Sequence, residues 1–268
     1  MEFVQGPRGR VAVRRQEGAG PPVLFLGGFR SDMTGTKAAW LADWAAERGR
    51  GFARFDYGGH GASEGEFEEG TIGGWLGDAE AVLATLPGPA VLVGSSMGGW
   101  IALLLARDRP ERVAGLVTIA AAPDFTEAIW EAATLAQRRA LEHEGRVVVP
   151  SEGGAYPITR ALIEEGRSRL VLRSPLHLPM PVRMLQGTAD AEVAPEVATR
   201  LLAHATGPDL RLTLVKDADH RFSSPRCLRL IGRSVEEASG VELFSWRGGV
   251  LGGHGVESLS WSGRMGDR

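Results

Sequence analysis

Between residues 90 and 107 the chain reads AVLVGSSMGGWIALLLAR. An apolar run at 90–94 has the length and composition of a buried strand, and Met97 to Arg107 has those of an apolar helix. Only a glycine- and serine-rich turn lies between them. A strand that passes into a helix with so little chain to spare forces a very tight reversal. Its central residue, Ser96, must then adopt strained backbone angles. Gly94 and Gly98 flank it because a side chain at either position would collide with neighbouring backbone. The order strand, Gly-x-Ser-x-Gly, helix is that of a nucleophile elbow, which holds a serine hydroxyl at the carboxyl edge of a sheet. The helix N-terminus beneath it favours developing negative charge. Ser95 points elsewhere, so Ser96 is the candidate nucleophile.

The rest of the chain alternates in the same way. Strand-like runs fall at 9–14, 22–27, 52–57, 113–120, 181–187 and 210–215. Helix-like stretches fall at 36–49, with Thr36 as N-cap and Gly49 just past the end, at 71–86 and at 194–205. That alternation predicts an α/β fold with a mainly parallel central sheet and helices on both faces. Residues 124–175 break the pattern with an amphipathic helix candidate (EAIWEAATLAQRRALEHEG) and a charged one (ITRALIEEGRSRLVL), and are expected to form an inserted helical lid. The expected organisation is a core in two parts, 1–123 and 176–240, a lid at 124–175 and a loosely ordered tail at 241–268.

Composition excludes several function classes. Among 268 residues, 43% are hydrophobic and 24% charged, and the formal net charge is −3. That balance suits a full core and is too weak to recruit nucleic acid or an anionic membrane. No apolar run approaches the ~18 residues of a membrane span. The first residues, MEFVQGPRGRVAVRRQ, lack the apolar core of a secretory signal. Cys227 is the one cysteine, so no internal disulfide can form. A cytoplasmic location is expected.

A serine hydroxyl needs a base. Of six histidines, His220 in KDADHRF stands just after the last strand-like run. His60 precedes the serine, His143 falls in the expected lid, His177 and His204 fall near or within elements, and His254 lies in the tail. The acid that orients the base is expected in the loop after the preceding strand, where GTADAEV supplies Asp190. Asp124, in the loop after an earlier strand, remains open as its rival. The oxyanion donors are expected to be the backbone N–H of Met97 and, from the turn in FLGGFRSD, that of Phe29. Glycine-permitted turns and local hydrogen bonds from Asp56 or Ser63 account for FDYGGHGASEG at 55–65 without chemistry. No metal or organic cofactor is called for.

These motifs together resemble the α/β-hydrolase superfamily. GGFRSDMTGTKA at 27–38, FDYGGHGASEG, GSSMGGW, SPLHLPMPVRMLQGTAD and DADHRF resemble one branch of it, that of α/β-hydrolase domain-containing protein ten. Its members are mitochondrial acyl-glucuronide esterases and palmitoyl-protein thioesterases. The resemblance spans roughly residues 20–235 and implies a serine hydrolase with Ser96, Asp190 and His220 as its triad. The absence of a mitochondrial presequence points to a bacterial-type relative. The expected reaction is cleavage of a small-molecule ester or thioester, or of an S-acylated protein. A lactonase or carbon–carbon bond hydrolase of the same fold, and a non-catalytic ligand-binding protein, stay open beside it. Ile129, Trp130 and Leu135 either face an acyl chain or seal the lid onto the core. Arg138, Arg139 and Arg146 either meet an anionic substrate or form a solvated face.

Overall fold

The computed structural model describes residues 1–149 and 154–240. The expected tail over 241–268, with His254, lies outside the described residues. In chain order the elements are β1 (Glu2–Gly6), β2 (Gly9–Gln16), β3 (Ala19–Leu26), α1 (Thr36–Glu47), β4 (Arg50–Phe55), α2 (Ile72–Ala84), β5 (Ala90–Ser95), α3 (Met97–Asp108) and β6 (Val113–Ile119). Then come α4 (Phe125–Ala132), α5 (Leu135–Glu144), β7 (Arg146–Val149), β8 (Tyr156–Thr159) and α6 (Arg160–Gly166). The chain closes with β9 (Val182–Gly187), α7 (Pro195–His204), β10 (Leu210–Val215) and α8 (Pro225–Ala238).

Eight strands form one sheet in the order β1-β2-β4-β3-β5-β6-β9-β10. Every neighbouring pair from β4 to β10 is parallel, and β2 alone runs against the rest. Period-two alternation divides the strand side chains between two apolar layers. Leu24, Leu26, Leu92 and Met184 join residues of α2, α3 and α7 on one face. Val23, Phe25, Val91, Val93 and Leu185 join residues of α1 and α8 on the other. Both faces are covered, which is why these strands read as unbroken apolar runs.

Between β6 and β9, which pair directly through Leu116 and Val182, the chain leaves the sheet. It builds α4 to α6 and a separate antiparallel β7/β8 hairpin. The single long helix expected over 127–145 is two helices. Thr134 caps α5 through a reciprocal box, its side chain accepting from Gln137 N while the Gln137 side chain accepts from Thr134 N. That cap starts a new helix where the amphipathic pattern alone would run on. The N-cap of α1 is Gly35 rather than Thr36, since Gly35 O already accepts the Ala39 N–H and so makes the first bond of the helix. Among the described residues no helix is long and apolar enough to cross a membrane.

Candidate active site

Ser96 sits between β5 and α3 with φ 54° and ψ −120°, a left-handed conformation that is strained for any residue with a side chain. The reversal is held from both sides. Ser96 N–H donates to Ile119 O, and Ser96 O accepts from Gly99 N and Ala122 N. A Cβ built on Gly94 would lie 2.3 Å from Gly98 O, and one built on Gly98 would lie 2.2 Å from Leu26 O. The glycines at both positions are therefore a steric requirement of the turn. Ser95 ends β5 as a buried residue.

His220 comes from the loop after β10 and Asp190 from the loop after β9. The two loops are stitched together by Ala189 N to Ala218 O at 3.0 Å and Asp217 N to Thr188 Oγ1 at 2.9 Å. His220 Nδ1 lies 2.9 Å from Asp190 Oδ2 and 3.1 Å from Oδ1. Its Nε2 lies 3.2 Å from Ser96 Oγ. With the Nδ1 proton donated to the carboxylate, Nε2 is left as acceptor for the serine hydroxyl. The Asp190 side chain is wholly buried. Burial pushes its pKa up, but bonds from His220, the Val193 N–H and the Gln186 amide outweigh that and hold it below the usual carboxylate range. It therefore stays charged opposite the imidazole.

The turn after β3 passes over the serine: a Cβ built on Gly28 would come 3.3 Å from Ser96 Cβ. Among the described residues neither the Phe29 nor the Met97 backbone N–H has an acceptor. The Phe29 ring is fixed edge-on by Phe67, Trp75, Phe125 and Tyr156, with centroids 5.0 to 5.8 Å away. His60 supports the same turn. Its Nε2 accepts from Arg30 N at 3.2 Å and its Nδ1 bonds Gly58 O at 3.3 Å. Burial pushes its pKa down, and the Arg30 bond needs Nε2 unprotonated. Asp56 and Ser63 make the local bonds expected of them: Asp56 accepts from Met33 N and Ala62 N, and Ser63 Oγ donates to Asp56 O.

Asp124, the rival acid, stands apart from His220. Its carboxylate accepts from Val171 N and Leu172 N and pins the returning end of the insertion. Burial raises its pKa against those two bonds. Ile129 and Trp130 pack on the core, whereas Leu135 is 77% exposed. Arg138 stacks on Trp130, Arg146 pairs with Glu68 at 2.8 Å, and Arg139 is exposed. His143 lies on α5, His177 bonds Thr206 Oγ1, and His204 bonds Ser174 O.

Sequence reasoning missed three contributors. Gln186, wholly buried, donates to Asp190 Oδ2 at 2.9 Å; a lone amide in the apolar run VRMLQG was the available signal. Lys37 Nζ donates to Arg221 O at 2.6 Å, directly after the histidine. Burial lowers its ammonium pKa to about 8. Glu192 Oε2 lies 3.5 Å from His220 Nε2. Lys37 lies in the Met-x-Gly-x-Lys-Ala stretch that carries the family resemblance, and Glu192 in GTADAEV, but neither pattern assigns them a place beside the histidine. A cavity of about 700 Å³ opens beside the turn after β3, lined by Arg30, Ser31, His60, Glu66, Phe67 and Pro157 among others; Ser96, Asp190 and His220 do not line it. Among the described residues no cluster of three or more His, Cys, Asp or Glu side chains could hold a metal ion. A strained serine with an oriented imidazole and two free N–H groups beside it has the parts needed to add to a carbonyl carbon.

Comparison with known proteins agrees with this architecture. The family model of serine aminopeptidases S33, a hydrolase family, matches residues 22–160. The mitochondrial palmitoyl-protein thioesterase ABHD10 of Bos taurus is 32% identical over 85% of this chain and 76% of its own. A putative hydrolase from Agrobacterium vitis S4 superposes with a TM-score of 0.84 at 42% identity, covering 88% of this chain and 97% of its own. The mouse α/β hydrolase domain-containing protein 10 superposes with a TM-score of 0.82 at 32% identity, covering 88% and 96%.

Proposed function

The chain belongs to the α/β-hydrolase family that includes the S33 serine aminopeptidases, and on that premise we propose that it is a serine hydrolase transferring the acyl group of carboxylic esters and thioesters to water. The observation that carries the reading is the hydrogen-bonded series from Ser96 Oγ through His220 to Asp190. His220 Nε2 takes the Ser96 proton as Oγ adds to the carbonyl carbon, and Asp190 stabilises the imidazolium. The Met97 and Phe29 N–H groups hold the oxyanion. As the tetrahedral adduct collapses, the bond to the leaving oxygen or sulfur breaks and Nε2 returns the proton to it. Water, deprotonated by the same imidazole, then releases the acid and restores Ser96. Every step uses protein groups and water.

The relatives named as palmitoyl-protein thioesterases support an acyl thioester, with an S-acylated protein or an acyl glucuronide among the candidate substrates. The test is kcat/KM for one acyl group presented as thioester, oxygen ester and acyl glucuronide, with Ser96→Ala alongside. The reading predicts turnover with a thioester or glucuronide preference, lost by about 10³-fold or more in the variant. Weak, flat rates that still depend on Ser96 would move the substrate to lactones or carbon–carbon bonds. Turnover that survives in Ser96→Ala contradicts the proposal.

A further inference from the structure

The turn that carries Asp190 reaches both nitrogens of the imidazole. Backbone N–H groups of Glu192 and Val193 donate to Asp190 Oδ1 at 2.9 and 2.8 Å, so the Glu192 backbone is fixed by the carboxylate that holds Nδ1. From that anchor the Glu192 side chain extends around the ring, and its Oε2 comes 3.5 Å from Nε2. Nε2 is also 3.2 Å from Ser96 Oγ. The leaving group must receive its proton from that nitrogen, so its first atoms come within a few ångströms of the Glu192 carboxylate.

We propose that Glu192 is a specificity-determining residue that selects the leaving group by charge, favouring neutral or cationic leaving groups and opposing anionic ones, so that of the candidate substrates it ranks thioesters with uncharged leaving groups above acyl glucuronides, whose leaving glucuronate is anionic. The inference rests on the serine-hydrolase reading above and deepens it. The Glu192 side chain is about half exposed, at 51%, so its field is screened but not quenched. Among the described residues no lysine or arginine lies within ion-pair distance of it. Lys37 of α1 and Tyr156 of β8 both interact with it electrostatically; the Lys37 ammonium donates to Arg221 O and interacts more strongly with Asp219 than with Glu192. A carboxylate here accepts hydrogen bonds from a neutral leaving group and attracts a cation, while a second negative charge within ~4–6 Å is repelled.

The experiment compares kcat/KM for butanoyl thioesters of thiocholine, 2-mercaptoethanol and mercaptoacetate in the wild type, Glu192→Gln and Glu192→Ala, with Ser96→Ala as the blank. The expected wild-type order is cationic, neutral, anionic. In both Glu192 variants the gap between the neutral and anionic esters narrows by about tenfold. Raising salt to about 0.5 M narrows the same gap in the wild type and leaves the variants unmoved, a response that lost packing would not produce. An unchanged ratio in both variants overturns the proposal, as does an equal fall on all three esters. Wild-type protein that turns over none of the three contradicts the hydrolase reading itself, and with it this one.

Discussion

Asp190 and Asp124 show how far a single residue can be read from sequence. Both are acids in loops after core strands, and chain order alone admitted either. What separates them is the partner each side chain finds: Asp190 meets an imidazole, a buried amide and two backbone N–H groups, whereas Asp124 accepts from two backbone N–H groups of the returning insertion and feels the charges of Arg173 and Arg200. On the proposed mechanism Asp190→Asn leaves the histidine without its orienting charge and lowers kcat by about 10³–10⁴-fold. Asp124→Asn trades one acceptor oxygen for a donor and leaves a buried N–H unpaired, at about 1–3 kcal/mol of stability. Its kcat stays within about tenfold of the wild type. Thermal melts and steady-state rates on the two variants check both halves, and the reverse pattern would exchange the two roles. Ser96 and His220 were legible because the elbow and the chain order are local patterns. Gln186, Lys37 and Glu192 were not, since each acts across a loop contact that no spacing encodes.

The strands were legible as elements for a physical reason: burial on both faces removes polar residues from them. The edges and the insertion were harder. Strand β1 is half exposed and short, and β7 and β8 are four residues each, too brief for periodicity to register. Helix α8 was overlooked although Ser224 caps it by accepting from Cys227 N and Pro225 opens it. Its arginines and glutamates masked the stripe of Leu228, Ile231 and Val235 that meets the sheet. One helix carries a titration with a predictable consequence. Asp78 of α2 is buried and accepts from Gly58 N at 2.8 Å. Burial raises its pKa from 3.8 to about 6, against the Gly58 N–H bond and the charge of Arg8. The folded state thus holds this proton more tightly than the unfolded chain. The stability Asp78 contributes is full below about pH 4, falls as pH rises to about 6, and is flat above. Asp78→Asn keeps an acceptor for Gly58 and removes the titration. Its stability relative to the wild type therefore rises across that window, by about 3 kcal/mol in all. Melts at pH 4, 5, 6 and 7.5 read this directly, and a constant difference across them contradicts it.

Across the whole molecule, backbone strain is concentrated at one edge. The non-glycine residues with positive φ among those described are Arg30, Ser96, Ala120, Asp124, Asp217 and Phe222. All six lie in loops that follow the carboxyl ends of β3, β5, β6 or β10. The parallel sheet collects these loops, and the packed layers on its two faces hold them in conformations they would not otherwise adopt. The insertion is tied down at the same edge, by Trp100 Nε1 to Arg169 O at 3.1 Å and by the aromatic cluster around Phe29. Sequence predicted the edge through the alternation of strands and helices, but not the contacts that close it. If the edge exists to strain and activate one hydroxyl, a serine-directed fluorophosphonate will show it. After labelling, peptide mass spectrometry should find one adduct per chain, on Ser96, retained in Ser95→Ala and absent in Ser96→Ala and in the denatured protein. An adduct on another residue, or none on folded protein that hydrolyses esters, would contradict the account.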